Sequence, residues 1–458
     1  MAFSYHPPTR TKCKVCEKMA NKYVGAVITT TKGKASSADN FPFHNWYNFV
    51  LGYTPEFPEY IFKREKITRG LVLDPFMGSG TTLICAKRAG LESVGIDAND
   101  FFEYTAKTKL DWHINVEEAR KIANEILLAL REKYDEISWP GATISRNKIG
   151  YLKEVKKMRS LAIPERYISD GPLVRLFLLK EIVSNYKYSS ENLRSLFTLA
   201  FVTIILPVSN VSYGPGFGVK KAKIDADVFS LFQKKIYRMI SDLTELGIDE
   251  KKTRTSVFLG DARVMSKKIA SDSVDLIVTS PPYPGDHEYT KHSKLELIFM
   301  NFATNLDEFR IIKKRMLRGS TTNVYKDDSE GDLVRTIDSI KEITKEIDIR
   351  LKMDGATSGF EKLYTKLVWE YFGGMHKVFE EALKVLKPGG KFVLLVSDSH
   401  AFKMVHIRTA EVLAEVAAKA GFTKSHIELW QNKGSTSHKY NLFEEILTVE
   451  KPKNKKSK

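Results

Sequence analysis

The sequence predicts an α/β fold built on a doubly wound, mainly parallel sheet. Two apolar runs, Leu71-Val-Leu73 and Ser93-Val-Gly-Ile96, flank one helical stretch, Thr81–Ala89, which Gly90 closes. That is a strand–helix–strand unit. Two further apolar runs end in turn signals: Ser256-Val-Phe-Leu259 before Gly260-Asp261-Ala262, and Val274-Asp-Leu-Ile-Val278 before a double proline. A last pair, Thr423–Trp430 and Glu444–Glu450, reads as a closing antiparallel pairing.

In chain order, His44–Phe62 reads as a short helix, a bend at Pro55 and Pro58, and a second helical piece. It lies within an aromatic cluster of Phe41, Phe43, Trp46, Tyr47, Phe49 and Tyr53. After the first strand–helix–strand unit the alternation stops. From about Glu103 to Lys252 the periodicity is helical, in Val116–Lys133, Gly171–Asn185, Glu191–Val208 and Ala226–Leu246. Between the last two, Ser209–Lys221 is rich in Gly and Pro and ends in two lysines, so a mobile, cationic loop is expected. A second insert runs from Asn301 to about Leu363 and carries the basic run Arg310–Arg318. Helix Tyr364–Leu386 then leads through Lys387-Pro-Gly-Gly390 into strand Lys391–Val396, and helix Thr409–Ala420 follows.

The 458 residues carry 72 Lys+Arg against 56 Asp+Glu, a formal charge of +16. Such a surplus suits a polyanionic partner, because each neutralised phosphate releases counterions. Three cysteines exclude a disulfide scaffold and fit a reducing cytoplasm. The N-terminus lacks the basic and apolar regions of a signal peptide. The longest apolar stretch, Leu196–Val208, falls short of the roughly 20 residues a membrane span needs. A buried helix is expected there, and no membrane partner.

Two peptides carry the chemistry. In Asp74-Pro75-Phe76-Met77-Gly78-Ser79-Gly80-Thr81-Thr82, glycines remove side chains where the strand turns sharply into a helix, so backbone N–H groups face an anionic group. Thr81 and Thr82 add hydroxyl donors. Asp97 ends the second strand about 20 residues on, where an acid accepts from ribose hydroxyls. The third glycine of the dinucleotide fingerprint is missing, which disfavours NAD. The second peptide, Thr279-Ser280-Pro281-Pro282-Tyr283, is a proline-stiffened loop presenting a hydroxyl, a carbonyl and an aromatic face at one place.

Together these strings resemble the cofactor and catalytic motifs of DNA amino-methyltransferases of the Ser-Pro-Pro-Tyr type, over roughly residues 40–110, 255–300 and 365–450. The resemblance implies a Rossmann-like methyltransferase sheet of seven strands, the last antiparallel, and S-adenosylmethionine as cofactor. It implies that Phe76 and the glycines hold the methionine part, that Asp97 takes the ribose and that Asp261 approaches the adenine amine. A strand-end Asp that caps a turn is the competing reading of Asp261. The implied substrate is double-stranded DNA, with cytosine N4 preferred to adenine N6, and the implied setting is a restriction-modification or related defence system in the cytoplasm. C5-cytosine chemistry is disfavoured, since no cysteine sits in a Pro-Cys loop. An RNA or protein amine methyltransferase and a catalytically silent DNA-binding subunit are the competing functions.

A base amine is a poor nucleophile because its lone pair is delocalised into the ring. Ser280 Oγ and the Pro281 carbonyl suit as acceptors for its two protons, Pro282 limits the loop's freedom, and Tyr283 offers a stacking face for a flipped base.

The expected organisation is a catalytic domain in three pieces, 1–110, 253–300 and 364–450. A mainly helical insert at 111–252, a basic insert at 301–363 and a disordered lysine tail at 451–458 complete it. Candidate DNA contacts are Tyr213, Lys220 and Lys221 in the first insert and Lys313, Lys314, Arg315 and Arg318 in the second. His44, Asn45 and Trp46 compete between lining the cofactor pocket and core packing. Cys13 and Cys16 have zinc-knuckle spacing but lack two further ligands, so no metal is expected.

Overall fold

The computed structural model describes residues 41–136, 163–213, 217–246, 252–285, 287–355, 359–434 and 441–453. Cys13, Cys16 and residues 454–458 of the tail lie outside them. Seven strands form one sheet: β1 (Leu71–Asp74), β2 (Glu92–Asp97), β3 (Thr255–Leu259), β4 (Val274–Thr279), β5 (Leu386–Ser397), β6 (Lys424–Gly434) and β7 (Asn441–Glu450). Their spatial order is β3-β2-β1-β4-β5-β7-β6. The first five are parallel, and β7 runs antiparallel to both β5 and β6. This is the Rossmann-like methyltransferase sheet that the sequence predicts.

The topology itself places the site. From β1 the chain winds outward through β2 to β3, then returns to β4 on the other side of β1 and continues to β5. At such a reversal the loops leaving the carboxyl ends of the two central strands part company and open a crevice. The glycine turn follows β1 and the proline loop follows β4.

Several elements differ from expectation for identifiable reasons. The run Glu191–Val208 is two helices, Glu191–Thr203 and Ile205–Val208, because Pro207 has no N–H to give Thr203 and its ring crowds that carbonyl. That run is long and apolar enough to cross a membrane by composition, yet most of it is buried within the protein. Strand β5 starts at Leu386 rather than Lys391. Its pairing with β4 jumps from Val274–Leu386 to Leu276–Lys391, so the Pro-Gly-Gly segment bulges inside the strand. Ser209–Lys221 is not simply a loop: Val211–Ser212 pairs antiparallel with Gly218–Val219 as a separate short ribbon. The tail is anchored at its start, with Lys451 Nζ 2.6 Å from Asp272 Oδ1 and 2.6 Å from the Leu386 carbonyl.

Both inserts share cores with the sheet domain. Helices Val116–Glu136, Asp170–Asn185, Glu191–Thr203 and Val228–Thr244 pack in one apolar cluster with Phe43, Trp46 and Trp112. Asp242, on the last of these helices, accepts from Phe43 N at 3.0 Å and Trp46 Nε1 at 2.9 Å, which ties the N-terminal aromatics to the first insert. The second insert lies directly on helix Tyr364–Val385. A Cβ at Gly373 would stand 2.0 Å from the Glu330 carbonyl oxygen, so only glycine allows that backbone approach.

Candidate active site

The glycine turn is built from backbone. Met77 N donates to the Ile96 carbonyl at 3.1 Å and Gly80 N to the Met77 carbonyl at 2.8 Å, which folds the chain back over β2 before helix Thr81–Arg88 begins. Gly78 has φ 50°, and among the described residues no atom beyond its own chain neighbours lies within 4 Å of where its Cβ would be: the space a side chain would fill is the cleft. Gly80, at φ 88°, faces inward, where a Cβ would come within 3.2 Å of Ala106 Cβ.

Asp74 holds this turn to the rest of the site. It is fully buried. Its Oδ1 accepts from Phe76 N at 3.0 Å and from the Thr279 hydroxyl at 2.6 Å, and its Oδ2 accepts from the Tyr53 hydroxyl at 2.7 Å. Thr82 is buried beside it, with its hydroxyl on Tyr53 and on the Val278 carbonyl. Asp74, Gly80 and Thr82 therefore stand behind the cleft wall and brace it. The sequence assigns all three to the cofactor, and in the structure none of them lines the cleft.

The other predicted residues converge. Pro75, Phe76, Gly78, Ser79, Thr81, Asp97 and Asp261 line one cleft with Ser280, Pro281, Pro282 and Tyr283. Its empty volume, open mouth included, is about 1040 Å³. The proline loop is held from several sides: Ser280 Oγ lies 3.0 Å from the Tyr283 hydroxyl, Tyr283 N donates to the Tyr289 hydroxyl at 3.2 Å, and Ser399 Oγ donates to the Pro284 carbonyl at 2.8 Å. Burial, with the Glu444 carboxylate adding to it, raises the Tyr283 phenol well above its ordinary range, so the hydroxyl stays protonated.

Two carboxylates line the cleft on the side of the glycine turn. Asp97 accepts from Gly78 N at 2.9 Å and Asn99 N at 2.8 Å. Burial nonetheless pushes its carboxyl up to about 7. Asp261 is gripped by Arg263, whose Nε lies 2.9 Å from Oδ1 and whose Nη2 lies 2.7 Å from Oδ2. It also caps the turn through Arg263 N, at 2.9 Å, and lines the cleft as well.

Several wall residues escaped the sequence reading. Phe49 and Tyr53 belong to the aromatic cluster noted before β1, but Phe43, Trp46 and Tyr47 of the same cluster are core, as are His44 and Asn45. Glu288 had no signal at all. Burial works to raise its carboxyl, and hydrogen bonds from Lys313, Thr290 and Thr322 outweigh that and hold it at about 2.

The predicted basic contacts divide sharply. Lys220, Lys221 and Lys314 are exposed. Lys313 lines the cleft and pairs with Glu288 at 2.6 Å; Arg315 also lines it, paired with Asp100 and donating to the Ala98 carbonyl at 3.2 Å. Arg318 is buried, with both ends of its fork on Asp328 at 2.9 Å and Nη1 on the Met316 carbonyl at 2.7 Å. Tyr213 is buried with its hydroxyl on Glu296 at 2.9 Å. Arg318 and Tyr213, which the sequence assigns as DNA contacts, are internal struts in the structure.

Residues 41–108 and 274–458 match the DNA methylase family that groups N6 and N4 methyltransferases. Over 449 residues the chain is 24% identical to the Type II methyltransferase M.BsoBI of Geobacillus stearothermophilus, covering 88% of this chain and 83% of that protein. It is 22% identical to the Type II methyltransferase M.AvaI of Nostoc sp., covering 93% and 87%, and 22% identical to the Type II methyltransferase M.MvaI of Kocuria varians, covering 87% and 84%. These alignments extend beyond the two family blocks into the interval between them.

Proposed function

We propose that this chain, which belongs to the DNA methylase family, transfers a methyl group from S-adenosylmethionine to the exocyclic N4 of a cytosine flipped out of duplex DNA. DNA amino-methylation is the chemistry of the family; the donor and the base are our reading. The observation that carries it is the shared cleft, in which the Gly78 turn and the Ser280–Tyr283 loop face one space.

S-adenosylmethionine, when bound, supplies a methyl carbon made electrophilic by its sulfonium. Phe76, Gly78, Ser79 and Thr81 would hold its methionine part at the open turn. Asp97 keeps lone pairs beyond its two backbone bonds for the ribose hydroxyls, and Asp261, locked by Arg263, takes the adenine amine. On the other side, Tyr283 would donate to Ser280 Oγ, 3.0 Å away, leaving that oxygen a lone pair for a further donor. Ser280 Oγ and the Pro281 carbonyl then accept the two protons of the base amine and draw its nitrogen toward tetrahedral geometry. The amine nitrogen would then take the methyl group with the sulfur as leaving group, and one amine proton would pass to solvent. Tyr283 stacks on the extruded base, because a base inside the duplex is out of reach.

The two inserts would clamp the duplex and read its sequence, with Lys220, Lys221 and Lys314 as the exposed cations that meet phosphates. The relatives' names, Type II methyltransferases, support a setting beside a cognate restriction or defence component. Sequencing DNA from cells that express the protein, with detection of modified bases, tests the reading. N4-methylcytosine at a defined site is the expected result. N6-methyladenine would replace the base assignment, and methylated RNA with unmodified DNA would replace the substrate.

A further inference from the structure

Beyond the Ser280–Tyr283 loop lies a second recess, of about 790 Å³ with its open mouth included. Tyr53, Ser280, Tyr283, His287 and Tyr289 line both spaces, so the recess adjoins the cleft at this loop. Tyr53, Phe57, Tyr283, Tyr289 and Trp430 stand in its wall, and Gln431 on β6 and Glu444 on β7 bring an amide and a carboxylate into it. A space with aromatic rings in its wall and a polar pair, adjoining the Gly78 cleft at the Ser280–Tyr283 loop, has the chemistry of a nucleobase site.

The closing hairpin is shaped for this. In the pairing of β6 with β7, Leu429 faces Glu445 and Gln431 faces Glu444, so Trp430 is an extra, unpaired residue. Such a bulge re-aims the side chains around it. Trp430 turns inward and packs edge-on against Phe57, with centroids 5.9 Å apart. Gln431 gives an Nε2–H to Glu444 Oε2. Glu444 is buried, and its charge is felt at the Tyr283 phenol. An amide that donates one N–H to a carboxylate has its orientation fixed and keeps a second N–H for another acceptor.

We propose that Gln431, oriented by Glu444, reads the ring edge of the target base. Its second N–H donates to the ring nitrogen beside the amine-bearing carbon, N3 of cytosine. The inference rests on the reading of Ser280–Tyr283 as the amine site. That ring nitrogen is an acceptor in cytosine and in adenine, whereas thymine and guanine carry an N–H at the equivalent place. A fixed donor therefore admits the two bases that bear a suitable amine and leaves the others with donor facing donor. Gln431 touches the base and determines specificity; Glu444 is a positioning residue.

The test uses the full chain with a short duplex containing its mapped site, and a second duplex whose target base has that ring nitrogen replaced by C–H. Wild-type protein should lose about tenfold in kcat/KM on the altered duplex, the worth of one buried neutral hydrogen bond. Gln431→Ala should lose about tenfold on the ordinary duplex and nothing further on the altered one, with cofactor affinity unchanged. Glu444→Gln should behave in the same way, because it frees the amide to turn. Gln431→Met, which keeps the volume and lacks the donor, carries the comparison if the alanine variant does not fold. Equal sensitivity of wild-type and variant proteins to the missing nitrogen overturns this proposal alone. A wild-type protein that methylates no duplex overturns the amine-site reading, and this proposal with it.

Discussion

The Thr279 hydroxyl donates to Asp74 Oδ1 at 2.6 Å, joining the last residue of β4 to the last residue of β1 across 205 positions of sequence. The same carboxylate holds Phe76 N and the Tyr53 hydroxyl. One buried side chain thus fixes the spacing between the two loops that form the cleft. Asp74→Ala leaves Phe76 N and the Thr279 hydroxyl without this acceptor, takes one of two partners from the Tyr53 hydroxyl, and should lower the stability to urea by about 3 kcal/mol. Cofactor affinity and methyl transfer should fall together, since both loops lose their common brace. An unfolding midpoint equal to that of the wild-type protein would refute this account.

Ser280 and Tyr283 act at the amine and not at the cofactor turn. Ser280→Ala should lower kcat about 100-fold, the typical loss for one preorganised partner of the reacting group, and leave the cofactor dissociation constant within twofold. Tyr283→Phe keeps the stacking ring and removes only the hydroxyl on Ser280, so it should retain more activity than Tyr283→Ala. Single-turnover rates and calorimetric cofactor titrations separate the two quantities.

The stability contributed by the Glu296 carboxyl should decline between mildly acidic and neutral pH. Burial pushes the Glu296 carboxyl up to about 7, although the Tyr213 and Tyr47 hydroxyls donate to it. An unfolded Glu titrates near about 4.3. Below that value both states hold the proton. Between it and about 7 the folded state alone does, so folded stability falls as pH rises and levels off above. Glu296→Gln should make that decline shallower by up to roughly 1.4 kcal/mol per pH unit. Asp97, also at about 7, preserves part of it. Urea midpoints from pH 5 to 8 give the comparison, and identical slopes would contradict it.

The cations should separate by burial. Arg318→Ala strands the largely enclosed Asp328 carboxylate and should cost about 3 kcal/mol of stability. Lys220→Ala with Lys221→Ala should leave stability unchanged and lower the slope of DNA affinity against salt, by about one unit for each phosphate left unneutralised. Denaturation and salt-dependent binding curves check both halves.

What could be read in advance was whatever depends on neighbours in the chain. The Gly78 turn and the Ser280–Tyr283 loop were legible because glycine and proline impose backbone geometry locally, and apolar runs ending at Asp74 and Thr279 ordered the strands. Asp74 looked like a cofactor ligand because its partners Tyr53 and Thr279, 21 and 205 residues away, leave no mark on its own segment. Tyr213 and Arg318 had the composition of surface contacts. Only tertiary packing sets Glu296 against one and Asp328 against the other. The hairpin bulge at Trp430 was hidden for the same reason: a register shift belongs to two strands and shows in neither alone.

The wide separation of β1 from β4 also governs how the molecule is made. At a ribosomal rate of roughly 5–20 residues per second, the glycine turn waits on the order of ten to forty seconds for the strand that completes it. During that interval the open edge of β1 has no neighbour, and the helices of the first insert are the structure that can condense in the meantime. The residues of their shared packing with Phe43 and Trp46 are therefore mostly made before β4 arrives.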